Sequence, residues 1–530
     1  MLIFLAHPSG LLGLTMMLCL PHLGCTPAGS NLFHRVSKKD TSLKVYLGAE
    51  PDSLDWTQSR QSTSFHIANQ LMSGLFIYDP QSSKAKVKPL IIDHWSHSRD
   101  FKTWFFKIRK NIHWSDGQIL LAQHYVDAWK HLLSPQTASP TAYKLFAIKN
   151  AEKFHRGELD FSKVGMRKLS PYSFSVELEK PNSYFPELLI GAHAYPMRVD
   201  LLKGSRQVMD ESFVGIGPYQ IGEVVRGNHL VLKSNPHYFS KKPFYQHILI
   251  PWLEDPQVAV RLFKKKELDF IVSPPSETLS SSELKGFVQS KPGAGITFLA
   301  FQLKSKMAQS LAFRELLRAA INKEALVKVL HKDLKVAHSL VPSFVDCSSF
   351  EALPAKSFEE SFYRFRKEFG SNDPMKITIT SNNSPENKVL LEALQSQWSQ
   401  ISGVHFEIQL RPNAAYFSQL FDRTDFEIYR LTWAPDYLQP AAYLSLFSKY
   451  SKNNYAHYEN ESFETLLQGV THGPDQAQRA SACALAQKQL IDKDQVVIPL
   501  YYPIAHYLVS KKIKNAALHF SQRLDFSLFR

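Results

Sequence analysis

The run Phe426-Glu427-Ile428-Tyr429-Arg430-Leu431-Thr432-Trp433-Ala434-Pro435-Asp436-Tyr437 limits what this chain can fold into more than any other stretch. Phe426, Ile428 and Tyr429 have strand composition, and Pro435 must end the ladder because it has no N–H to give. A strand that stops there delivers Arg430, Trp433 and Asp436 to its exit, where binding groups collect in open α/β sheets. The run therefore predicts a strand of an α/β fold with an anchor for opposite charges at its mouth. Taken alone, an Arg and an Asp six residues apart are an ordinary solvated pair.

The rest of the chain has to supply more than one core. Its 530 residues exceed the roughly 250–300 at which a single core stops growing, so two or three lobes are expected. Trp104, Phe106 and Ile108 alternate with Phe105, Lys107 and Arg109, the pattern of a half-buried strand. Asp116-Gly117 then makes a turn and 122–133 has helical composition. Helical spacing returns over 256–266, 311–330 and 387–400. Short apolar strands are predicted at 230–232, 247–250, 270–272, 377–379 and 405–410, and a Pro/Ser-rich loop at 273–282. Alternating helix and strand argues for α/β lobes.

Residues 1–24 contain no Asp, Glu, Lys or Arg, and 11–20 is an apolar core of signal-peptide length. Export is expected, with a tether over 25–42 whose Thr26-Pro27-Ala28-Gly29-Ser30 suits a flexible linker. Leu23-Gly24-Cys25 resembles a bacterial lipobox, with His22 where that pattern has Leu, so Cys25 is the candidate for lipidation and membrane anchoring. Of the other cysteines, Cys19 lies in the signal, and Cys483 sits among Ala482, Ala484 and Leu485, an apolar helix face that predicts a buried free thiol. The alternative is a bridge between Cys347 and Cys483 in an oxidising periplasm.

The 62 Lys and Arg against 48 Asp and Glu leave a net charge of +14, which suits anionic surroundings. The basic residues are dispersed and their longest runs, such as Lys264-Lys265-Lys266, are short, so nucleic acid is not expected as a partner. No phosphate loop, zinc-protease motif or nucleophile elbow occurs. Gly215-Ile216-Gly217 is followed by Pro218 and lacks a third glycine, which excludes a dinucleotide loop. The pairs His94/His97 and His124/His131 have no Cys nearby and read as packed or solvated. No cofactor, metal or catalytic residue is expected.

Several blocks, in order, resemble one family. They are Trp104 to Arg109 with Trp114-Ser115-Asp116-Gly117; Gly215-Ile216-Gly217-Pro218-Tyr219 with Asn235-Pro236-His237-Tyr238; Arg314, Arg318 and Asn322-Lys323-Glu324; Arg430 to Pro440; Asn453-Asn454-Tyr455-Ala456-His457-Tyr458; and Ile498-Pro499-Leu500-Tyr501-Tyr502. Together they look like the bacterial extracellular solute-binding proteins of family 5, and in particular the oligopeptide-binding proteins of ABC importers. The resemblance implies a type II periplasmic-binding-protein fold of two lobes closing about a hinge plus an extra domain. It maps lobe I to 43–72, 197–303 and 507–530, the extra domain to 73–196 and lobe II to 304–506.

It also implies that the protein is no enzyme but captures oligopeptides in the periplasm or cell envelope and passes them to a permease in the inner membrane. Asp436 would meet the peptide ammonium, Arg430 would help hold the carboxylate, and Trp433 would wall a pocket beside Ala434. Four positions depart from the family pattern. Thr432 replaces a glycine, Thr141 stands for a tyrosine, Asn387 falls at or near a histidine, and Arg60 replaces an acidic pocket residue. A cell-wall peptide, nickel or another non-peptide solute are alternative ligands for the same fold, and a secreted hydrolase or an adhesin are the alternatives outside it.

Overall fold

The computed structural model describes residues 41–530 except 52, 60, 203–209, 331–333, 348–349, 371–374, 413–414, 417–419, 421–424, 436, 452 and 474. The expected signal segment, Cys25, Arg60 and Asp436 therefore lie outside the described residues.

Ile296–Phe301 reads Ile-Thr-Phe-Leu-Ala-Phe, and all of it is buried. A strand covered on both faces belongs inside a sheet. It pairs antiparallel with Ile428–Trp433 on one side and Val497–Tyr502 on the other. Met375–Asn382 and Val404–Arg411 continue the six-stranded sheet beyond the first neighbour, and Lys335–Val336 closes it beyond the second. Phe313, Leu316 and Leu317 of helix Leu311–Ala319 pack with Leu390, Leu391, Leu394 and Trp398 of helix Pro385–Trp398 to form the core on one face.

A second sheet has seven strands, in the order Val288–Pro292, Ile504–Val509, Phe270–Val272, Ser42–Tyr46, His247–Pro251, His229–Ser234, Tyr219–Val225. Ser42–Tyr46 runs parallel to both of its neighbours, so their carboxyl ends share one edge of the sheet. A four-stranded antiparallel sheet is built within 92–177. There Trp104, Phe106 and Ile108 are buried while Phe105 and Lys107 face solvent, the alternation read from the sequence. Gly117 takes the positive φ, +85°, that the Asp116-Gly117 turn requires.

The chain passes between the two large sheets at 293–295 and at Pro503. These crossings lie side by side, with the Gly293 N–H donating to the Pro503 carbonyl at 2.9 Å. The sequence-based lobe limits differ in detail: Ile296–Phe301, assigned to lobe I, is hydrogen-bonded into the six-stranded sheet, and Ile504, assigned to lobe II, already pairs in the seven-stranded one. The helix expected over 311–330 is two helices, Leu311–Ala319 and Lys323–Val329. The Asn322 side chain caps the second by accepting from the Ala325 N–H at 2.9 Å.

The free thiol expected at position 483 is overturned, because Cys483 forms a disulfide with Cys347. The expected apolar helix face is real, since Cys483 is fully buried on helix Gln476–Lys488. What local reading could not show is that the segment around Cys347 crosses that face, bringing the two Cα atoms to 5.5 Å. Gln487 on the same helix reinforces the junction, donating to Cys347 Sγ at 3.1 Å and accepting from the N–H groups of Leu340 and Val341.

The bridge closes a loop between residues 136 apart, so Cys347→Ala/Cys483→Ala is expected to lower the free energy of unfolding by about 2–5 kcal/mol in chemical denaturation. Peptide mapping of denatured, unreduced protein should find neither thiol free. A free thiol at either position would refute the pairing.

Candidate ligand-binding site

The strand Ile428–Trp433 forms as expected and stops before Pro435. Its register against Ile296–Phe301 sets Thr432 opposite Thr297, Leu431 opposite Phe298 and Arg430 opposite Leu299. Thr432 and Thr297 share a side-chain hydrogen bond of 2.7 Å. The Arg430 carbonyl accepts from the Tyr416 hydroxyl at 2.6 Å, fixing the backbone beneath the guanidinium.

Arg430 is only 8% exposed, yet its buried Nε has no hydrogen-bond partner among the described residues. The fully buried Ser381 hydroxyl is also without one. Ser381 lies one residue past the paired Thr380 and Tyr429, which puts it beside Arg430 on the same face of two parallel strands. A desolvated cation costs several kcal/mol unless an anion answers it. Arg430 Nε and the Ser381 hydroxyl are thus two buried polar groups on one face of the sheet with no partner among the described residues.

The loop after the strand is tied down at both ends. Trp433 Nε1 donates to the Ala442 carbonyl at 2.9 Å, and the Leu438 N–H donates to the Tyr78 hydroxyl at 2.7 Å. Gln439 Nε2 donates to Glu187 Oε1 at 2.8 Å, and the Tyr443 hydroxyl donates to the carbonyl of Ala294 in one of the crossings. Asp436 falls between these fixed neighbours in sequence but outside the described residues. Tyr78, Glu187, Ser381, Tyr416 and Gln439 were not found from the sequence. They come from segments far apart in the chain, and no spacing rule links them.

The other candidates fall in two places. Ala434 is exposed at the strand exit. Asn387 is buried in the first turn of helix Pro385–Trp398, and its Nδ2 is committed to the Asn382 carbonyl and side chain at the end of the neighbouring strand. There it secures the carboxyl edge of the sheet. Thr141 is buried in a different loop, hydrogen-bonded to Ser139, whose hydroxyl holds the Thr57 carbonyl at 2.6 Å. Arg60 lies outside the described residues.

Burial shapes the electrostatics. The Glu187 carboxyl is pushed up to about 8, chiefly by burial, with the nearby Arg479 and the Gln439 hydrogen bond only partly offsetting it. The Tyr78 hydroxyl is likewise raised, mainly by burial. Among the histidines, His124 accepts from Trp114 Nε1 at 3.1 Å and His97 stacks on Phe101. Among the described residues no group of three or more His, Cys, Asp and Glu could hold a metal, and no helix is long and apolar enough to cross a membrane.

The family described as bacterial extracellular solute-binding proteins, family 5 middle, matches residues 86–455. The periplasmic oligopeptide-binding protein OppA of Salmonella typhimurium is 26% identical over 486 residues, which cover 87% of each chain. The oligopeptide-binding protein OppA of Bacillus subtilis is 26% identical over 501 residues, 91% of each chain. Among solved structures, the unliganded open form of the periplasmic murein tripeptide binding protein MppA superposes with a TM-score of 0.82 at 22% identity, covering 93% of this chain and 97% of that one. The sheets described above are thus those of a type II periplasmic-binding-protein fold.

The Glu187–Gln439 contact carries a pH signature. A raised carboxyl pKa means that the folded chain keeps a proton that the unfolded chain has shed, so stability falls as pH rises from about 4.5 towards about 8. Glu187→Gln mimics the protonated acid. It should therefore gain on wild type by more than about 1 kcal/mol between pH 5 and pH 8.5 in parallel unfolding curves. Curves that stay parallel over that range would contradict the assignment.

Proposed function

Because the chain belongs to the bacterial extracellular solute-binding proteins of family 5, we propose that it is the exported binding component of an ABC importer and captures oligopeptides by their backbone and charged ends. The observation that carries this reading is the buried, unanswered Nε of Arg430 beside the Ser381 hydroxyl. A receptor for any peptide must rely on what all peptides share, namely an extended backbone, an ammonium and a carboxylate. In this reading Arg430 takes the carboxylate, Asp436 takes the ammonium, and Trp433 walls a side-chain pocket that opens past Ala434.

The crossings at 293–295 and Pro503 act as the hinge about which the two lobes close over the ligand, and the loaded protein then engages the permease. That its relatives are oligopeptide-binding and murein tripeptide-binding proteins supports a peptide class that includes cell-wall peptides. The cycle is capture and release, without a catalytic step.

Removing one partner of an enclosed ion pair strands the other and costs about 2–5 kcal/mol, or roughly 30- to 5000-fold in Kd. Calorimetry with free, N-acetylated and C-amidated forms of one peptide tests both anchors. Asp436→Asn should weaken the free peptide and be insensitive to acetylation, while Arg430→Met should be insensitive to amidation. If wild type binds the free and blocked peptides equally well, the terminal anchors are refuted.

The export reading extends to Cys25, which in this proposal carries a lipid. Cys25→Ser should then move the protein from the membrane to the soluble fraction. An unchanged distribution, with the mature N-terminus mapped elsewhere, would remove the anchor.

A further inference from the structure

The seven-stranded sheet has a second end, remote from the crossings, and a cavity of about 700 Å³ opens there. Asp269 precedes the strand Phe270–Val272, and Ser510, Lys511 and Lys512 follow the antiparallel Ile504–Val509, so both belong to that far end. Helix Pro256–Lys264 finishes at the same end, as its last residue also lines the cavity. The rim carries Lys44, Lys264, Lys266, Lys511 and Lys512. Phe263, Leu268 and Leu284, all buried, form the floor with Phe287, and the rings of Phe263 and Phe287 meet edge to face at 5.6 Å.

Two carboxylates face these five lysines. Asp269 holds Lys512 at 3.1 Å and the Lys44 N–H at 2.9 Å, and Glu283 holds Lys264 at 2.6 Å. The carboxyl end of the helix contributes about half a negative charge. A cationic surplus remains, and it is borne by Lys266 and Lys511, both exposed and neither in a salt bridge among the described residues; Lys511 Nζ instead sits 5.9 Å from the Phe287 ring centre. Exposed cations above an aromatic floor, at a volume suited to a small amphiphile, match a ligand with an anionic head and an apolar body.

The first described strand begins at this end. Ser42 opens its strand here and its carbonyl accepts from Lys512 Nζ. Fifteen residues lie between Cys25 and Thr41, and the chain from one to the other can reach at most about 53–58 Å. A membrane holding Cys25 would keep this pole within reach of its headgroups. We propose that the pole is a seat for an anionic phospholipid, with the lysines paired to its phosphate and the phenylalanine floor taking the first methylenes of its chains. The seat is separate from the peptide site and does not need the anchor, which would only raise the local lipid concentration.

Monomeric dihexanoyl phosphatidylglycerol tests this by calorimetry on the protein as exported. It should bind, dihexanoyl phosphatidylcholine should not, and glycerol phosphate should bind at least tenfold more weakly than the lipid. Lys266→Glu/Lys511→Glu should lower lipid affinity more than tenfold, whereas Lys163→Glu/Lys168→Glu, with the same change in net charge, should leave it intact. No binding, equal loss in both variants, or glycerol phosphate as tight as the lipid would each overturn the proposal. If the double glutamate variant fails to match the wild-type melting curve, Lys266→Gln/Lys511→Gln replaces it with the same expected direction. Peptide titration of the pole variant, unaffected if the two sites are independent, keeps this outcome distinct from that of the peptide reading.

Discussion

The antiparallel pairing of Ile296–Phe301 with Ile428–Trp433 is the contact on which the rest of the structure depends. It joins a strand buried along its whole length to the one that carries Arg430 and Trp433. Burying each of Ile296, Phe298, Leu299 and Phe301 contributes about 1.5–3 kcal/mol, and that gain offsets the cost of holding a guanidinium in the same layer. The register matters as much as the energy. A slip of one residue would turn Arg430 and Thr432 to the opposite face and exchange them with Leu431 and Trp433.

The site also solves two electrostatic problems in opposite ways. Glu187 answers burial by keeping its proton, with the nearby Arg479 and its contact to Gln439 only partly favouring the ionised form. Arg430 has no such escape, because a guanidinium does not lose its proton in a protein. Around it the fold supplies a hydroxyl at Ser381 and leaves the guanidinium Nε unanswered. In the proposed reading that arrangement favours binding, since desolvation is met during folding and an arriving anion collects the electrostatic gain.

Local features were legible where chemistry and periodicity act over a few residues. The alternation from Trp104 to Ile108, the positive φ at Gly117 and the end of the strand before Pro435 follow from side-chain pattern, glycine freedom and the missing proline N–H. The helix break at Asn322 was missed, because apolar spacing runs on across the residue whose side chain caps the second helix. What stayed hidden was contact between distant segments. Tyr78 meets Leu438 across 360 residues, Glu187 meets Gln439 across 252, and Cys347 meets Cys483 across 136. Each of those residues has an unremarkable neighbourhood, and only the assembled sheets bring it to its partner.

The two crossings have a mechanical meaning. A single strand between two bodies is a swivel, free to turn in every direction. Two strands lying side by side and pinned by the Gly293–Pro503 hydrogen bond are a ribbon, stiff against shear and splay within its own plane and compliant to flexing out of it. Gly293 leaves the ribbon thin there, since a Cβ would come within 2.9 Å of the Pro503 carbonyl oxygen, while the Tyr443 hydroxyl braces the neighbouring Ala294 from the side. A link of this kind offers one soft direction rather than many, the one in which the two large sheets flex about it.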